Sequence, residues 1–130
     1  MTTVILLAAA AVLLGGCGDS KKSKANAKKA AVRLNDYYYT LWKRPSPDWE
    51  IRKVRPAKDH SVNVEAKIIT QMLTKAVMER SKAEQMEIAR YACPAYTDKI
   101  WTELGQDQPV GITLTGTAGH IINALCKRPE

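Results

Sequence analysis

Hydrophobic and polar positions change period several times along the chain, and each change marks a new element. Ala27, Ala31, Leu34, Tyr38 and Leu41 recur at spacings of 4, 3, 4 and 3, with Lys28, Lys29, Arg33 and Asp36 largely off that line. This is one apolar face of a helix. It should end before Pro45-Ser46-Pro47, because proline restricts the preceding residue and cannot extend a helix. From Asp48 to Arg55 the pattern is short and mixed, with Trp49 and Ile51 on one side of an extended segment, and Pro56 to Asp59 reads as a turn. Val62, Val64, Ala66 and Ile68 then alternate with Ser61, Asn63, Glu65 and Lys67, which predicts a strand with one buried face. The two extended segments are expected to pair as an antiparallel hairpin.

From about Thr70 the period becomes helical again. Ile69, Met72, Ala76, Ala83, Met86 and Ala89 share a face, which predicts one long helix breaking near Cys93-Pro94. A short helical piece carries Ile100, Trp101 and Leu104 and stops at Gly105. Val110, Ile112 and Leu114 alternate with Gly111, Thr113 and Thr115 as a third strand; Gly116 to Gly119 turns the chain into a final short helix with Ile121, Ile122, Leu125 and Cys126. The expected fold is α+β: a small three-stranded antiparallel sheet covered mainly on one face by a long helix and shorter ones, in a single domain over 26–130.

The first residues follow a different logic. An uncharged apolar run from Val4 to Leu14 ends in small residues and a cysteine, the order of an export signal, and it is shorter than the roughly 20 residues that span a bilayer. Its end, Leu14-Gly15-Gly16-Cys17, resembles the lipobox of bacterial lipoproteins. That resemblance implies removal of a signal peptide over 1–16 and attachment of a diacylglycerol thioether to Cys17 as the mature N-terminus. No Lys or Arg precedes the apolar run, so the terminal amine alone would supply its positive end. Gly18 rather than Asp follows the cysteine, which by the same resemblance favours the outer membrane, with the domain on the periplasmic side.

Charge adds to this picture. Between Cys17 and Arg44 eight Lys or Arg face two Asp, whereas from Pro45 onward twelve cations face eleven anions. The surplus therefore lies beside the lipid, in a basic tether over 17–25 and the helix that follows, where it would be drawn to an anionic leaflet or serve as a solvated spacer. Nucleic acid is not an expected partner, since no recognition motif accompanies the lysines.

With Cys17 taken by lipid, Cys93 and Cys126 remain as an even pair in an oxidising compartment and are expected to form a disulfide. No C-x-x-C spacing marks a redox pair. His60 and His120 join neither cysteine at zinc-ligand spacing, so no metal or other cofactor is expected. Gly116, Thr117 and Gly119, placed between a strand and a helix, form a candidate anion site at a helix N-terminus or simply a tight turn, and match neither phosphate-loop pattern. His60-Ser61 would diverge along a strand, and Asp98 and Glu103 do not share a helix face, so no catalytic set emerges. Tyr37, Tyr38, Tyr39 and Trp42 cannot all face one core, so Tyr37, Tyr39 and Trp42 are either packed under another part of the chain or candidate contacts for a protein partner or a membrane interface. The leading expectation is a non-catalytic, lipid-anchored envelope module that binds or helps assemble a protein, including the immunity or inhibitor type. The alternative is a small periplasmic enzyme or ligand carrier using the Gly116 to His120 turn.

Overall fold

A computed structural model describes residues 24–105 and 107–129. The signal-peptide segment, Cys17 and most of the basic tether lie outside the described residues. The first helix, α1, covers 24–40. Strands β1 (Trp49–Pro56) and β2 (Val62–Ile68) follow, then helices α2 (Gln71–Met78) and α3 (Lys82–Ala89), a 3-10 turn over Arg90–Ala92, and the short α4 (Ile100–Leu104). Strands β3 (Val110–Gly116) and β4 (Gly119–Leu125) complete the chain.

The sheet corrects the expected fold. It has four strands in the order β1-β2-β3-β4, and it is mixed: β1–β2 and β3–β4 are antiparallel, whereas β2 and β3 run parallel. Parallel neighbours need a long crossover, and the segment 69–109 with its three helices supplies it. The fourth strand occupies the residues expected to form the last helix. β4 has a bulge: Leu114 pairs with Ile122 but Thr115 pairs with His120, so Ile121 is an extra residue. That insertion puts two isoleucines side by side and breaks the period-two signal of a strand.

The expected long helix is likewise two helices. No glycine or proline separates them; Ser81 caps the second by accepting from the Glu84 amide at 3.2 Å, while the Glu84 carboxylate accepts from the Ser81 hydroxyl at 3.0 Å. These bonds, with Arg80 beside them, hold the Glu84 carboxyl below its ordinary range. The buried Gln85 amide donates back to the carbonyls of Val77 at 3.1 Å and Arg80 at 3.2 Å, satisfying the open C-terminal end of α2. The buried positions are accordingly Thr74, Val77, Gln85 and Ala89, whereas Met72, Ala76 and Ala83 face outward.

One core joins these parts. Val62, Val64, Ala66 and Ile68 of β2 and Val110, Ile112 and Leu114 of β3 are all but inaccessible, and Ala30, Ala31, Leu34, Tyr37 and Tyr38 of α1 are buried with them. The small residues at the start of α1 permit close approach, and its larger ones fill the space beyond. Leu41 falls after the helix ends and is 67% exposed, so it is not part of the apolar face expected of it. The opposite face of the sheet is polar and half-exposed along β2.

Candidate functional site

The C-terminal end of α1 helps build a concave surface. Both the Leu41 and Trp42 amides donate to the Tyr37 carbonyl, at 2.8 and 3.0 Å, which closes the helix there, and Leu41 is exposed just beyond it. Inside, Tyr37 and Tyr38 meet edge to face at 5.2 Å, and Tyr38 meets Trp42 in the same manner at 5.5 Å. The buried Tyr38 hydroxyl donates to the Ala92 carbonyl at 2.5 Å; burial pushes it well above the ordinary tyrosine range, so it remains a neutral donor.

Across from α1 lie α3, the 3-10 turn and the loop after it, leaving a cleft of about 660 Å³. Leu41, Trp42 and Lys43 form one wall, and Tyr91, Pro94 and Tyr96 form the other. An adjoining hollow of about 680 Å³ shares Glu87 and Tyr91 with the cleft and is backed by Trp49, Leu73, Val77 and Ile88. Another of about 480 Å³ shares Tyr37, Leu41 and Asp98. The cleft thus shares a wall with each of the other two depressions.

The electrostatics at the cleft are nearly settled internally. The Glu87 carboxylate is held by Arg90 at 2.5 Å and by Lys127 at 3.9 Å, and Asp98 accepts from the Ile100 amide at 3.0 Å. Lys43 makes no ion pair among the described residues. What the surface offers is therefore chiefly apolar: Leu41, Tyr91 and Tyr96 are 67, 61 and 58% exposed around buried aromatics. A disulfide between Cys93 and Cys126, with Cα atoms 5.7 Å apart, fastens the second wall to the end of β4.

The sequence-based candidates separate on this surface. Tyr37 and Trp42 line the cleft, but Tyr37 is only 5% exposed and Trp42 is half-buried against Tyr38. Tyr39 is 74% exposed and lines none of these depressions. Leu41, Tyr91 and Tyr96 were missed; aromatic residues flanking Cys93-Pro94 in a loop were the available signal. Gly116, Thr117 and Gly119 form the tip of the β3–β4 hairpin, so a strand follows where the anion site required a helix N-terminus. The Thr117 amide donates instead to the Thr74 hydroxyl at 3.2 Å. His60 and Ser61 do diverge in bonding: the Ser61 hydroxyl donates to Asp59, while His60 sits at φ 67° with Nδ1 buried and unpartnered among the described residues. Cys17 lies outside the described residues.

No known protein family, curated protein or solved structure matches the chain.

Proposed function

We propose that this chain is a lipid-anchored protein of the cell envelope, held through Cys17 on the periplasmic side of the outer membrane, whose cleft at the end of α1 takes a protein partner without catalysis. The observation that carries the binding part is the grouping of Leu41, Tyr91 and Tyr96, all largely exposed, around one cleft. Exposed apolar side chains are ordinary when scattered, but gathered at a concave surface they are the usual anchors of an interface. The anchor rests on the lipobox-like end of the apolar run, and the Cys93–Cys126 disulfide is consistent with an oxidising compartment.

A photo-reactive amino acid placed at Tyr91 or Tyr96 in cells should give an adduct with one discrete protein. The same probe at Met72, 86% exposed on α2, should give none. Identical adducts at all three positions, or none at Tyr91 and Tyr96, reject the cleft. Separately, Cys17→Ala should abolish metabolic labelling by a fatty acid, and labelling that persists rejects the anchor.

A further inference from the structure

Strand register lays out the polar face of the sheet as three rows. Arg55, Asn63, Gly111 and Leu125 are successive partners across the four strands; Lys53, Glu65, Thr113 and Asn123 form the next row; Glu50, Lys67, Thr115 and His120 form the third. Gly111 stands out within this grid. Glycine weakens a central strand, and a strand keeps one for an unusual dihedral, for tight packing or for close approach of another molecule. The first two reasons fail here. Gly111 has no positive φ, and a Cβ added to it would meet nothing nearer than the Ala124 carbonyl and Asn63 Oδ1, both at 3.8 Å.

Beside Gly111 lies a hollow of about 500 Å³, within the usual size of a ligand pocket, lined by Asn63, Thr113, Asn123 and Leu125 of the polar rows and also by Met86, Ile112 and Ala124 from the core side. Its polar groups are arranged by bonds to one another. Asn63 Oδ1 accepts from the Thr113 hydroxyl at 3.0 Å, and Asn123 Oδ1 bonds His120 Nε2 at 3.0 Å. Both amide oxygens are thereby occupied, and both NH2 groups have no protein partner among the described residues. At one end Asp59 Oδ1 takes the amide and the hydroxyl of Ser61, at 3.1 and 2.5 Å, leaving Oδ2 as an acceptor. Leu125, 61% exposed, supplies an apolar surface beside the glycine. Arg90 at the margin is engaged by Glu87 and by the Leu125 carbonyl, so the hollow presents a carboxylate and no unengaged cation among its described lining residues.

We infer that this hollow is a second binding site and that its ligand is a neutral sugar unit. Two amide donors and one carboxylate acceptor around a flat glycine floor match hydroxyls and ring oxygens, and the C–H face of a sugar can rest on Gly111 and Leu125. The fixed carboxylate disfavours an anionic ligand, and an uncharged one fits the engaged state of Arg90.

The test titrates cellotriose and triacetylchitotriose separately into the full-length protein and follows the side-chain NH2 resonances of Asn63 and Asn123. Saturable shifts of those resonances with at least one sugar at millimolar concentration are expected. Gly111→Val should weaken binding at least tenfold while leaving the melting temperature unchanged or higher, because the site has room and the strand gains a β-branched residue. Asn63→Asp, which exchanges a donor for an acceptor at constant shape, should also weaken it tenfold, and it decides between the outcomes if Gly111→Val proves unstable. Failure of both sugars to shift either amide, or unchanged affinity in the stable variant, overturns the inference.

Discussion

The two outer strands of the sheet solve one problem by opposite means. A strand at an edge exposes unpaired backbone groups and invites pairing with another chain. β1 carries its own protection: Glu50, Arg52, Lys53 and Arg55 lie along it, Pro56 ends it, and Arg52 Nε meets Glu50 Oε1 at 2.6 Å. Its bulge falls at Arg52, between Ile51 and Lys53, so the extra residue is a charged one and Trp49, Ile51 and Val54 still face the core. β4 has no charged residue from Gly119 to Leu125, and its bulge inserts an isoleucine. Its shelter comes from elsewhere in the chain. Helix α3 packs against it, Arg90 Nε donates to the Leu125 carbonyl at 3.0 Å, and the disulfide pins its far end. An edge guarded by its own side chains remains guarded when neighbours move; an edge guarded by tertiary structure does not.

That contrast is most severely tested by removing the disulfide. Cys93→Ser with Cys126→Ser should lower stability by about 3–4 kcal/mol on the chain-entropy account of a loop this long. Amide exchange should accelerate in β4 well before β1, and equal acceleration in both edges would break the comparison. Gly116→Val comes next. A Cβ there would lie 2.6 Å from Thr74 Cγ2 and 2.8 Å from Thr74 Oγ1, so forcing it in should cost about 1–3 kcal/mol and lift the hairpin tip from α2. Chemical denaturation of Gly116→Val beside Gly111→Val measures the difference between a filled and an open position on one strand.

Tyr38→Phe probes the support behind β4, since Ala92 sits between Arg90 and Cys93. Stranding the Ala92 carbonyl should cost about 1–2 kcal/mol. The raised hydroxyl also sets a pH dependence. The neutral phenol stabilises the fold fully below the unfolded tyrosine pKa, near pH 10, and that contribution drains away as pH rises toward the higher folded value. Melting curves between pH 8 and 11 should fall less steeply for Tyr38→Phe than for the parent; parallel curves would show that the phenol is not the titrating group. The smallest thermodynamic effect belongs to β1. Arg52→Thr with Lys53→Thr should change stability by about 0.5 kcal/mol or less, yet increase self-association seen by sedimentation. A strictly monomeric double variant would mean that charge is not what guards this edge.

The same contrast explains what the sequence reveals. β1 and β2 were legible as a hairpin because the bulge in β1 falls after Ile51, leaving Trp49 and Ile51 in regular alternation, and β2 alternates cleanly. β4 was illegible because Ile121, Ile122, Leu125 and Cys126 repeat at helical spacing once the bulge doubles the isoleucine. The break between α2 and α3 was present as Ser81-Lys82-Ala83-Glu84, a capping-box sequence, but the stronger apolar spacing from Ile69 to Ala89 obscures it. The burial of Gln85 has no local sign, since its partners are the carbonyls at the end of another helix. Parallel pairing of β2 with β3 is written only in the length of the segment between them. At the cleft, the wealth of aromatics near Tyr37 was readable, but which ones emerge depended on where α1 stops and on Tyr38 reaching Ala92.

Of the three strand pairings, only that of β2 with β3 joins residues distant along the chain. The two hairpins close over short turns, and such closure takes on the order of microseconds. The parallel pairing has to wait until the segment 69–109 has folded back, a slower step because loop entropy is lost before any contact rewards it. A hairpin that forms before that pairing, marginally stable by itself, shows a bare strand with an apolar face: Val62–Ile68 in one and Val110–Gly116 in the other. The hazard of misassembly in the folding chain therefore belongs to the two strands that the finished sheet hides most completely, and the charges along β1 cannot screen them.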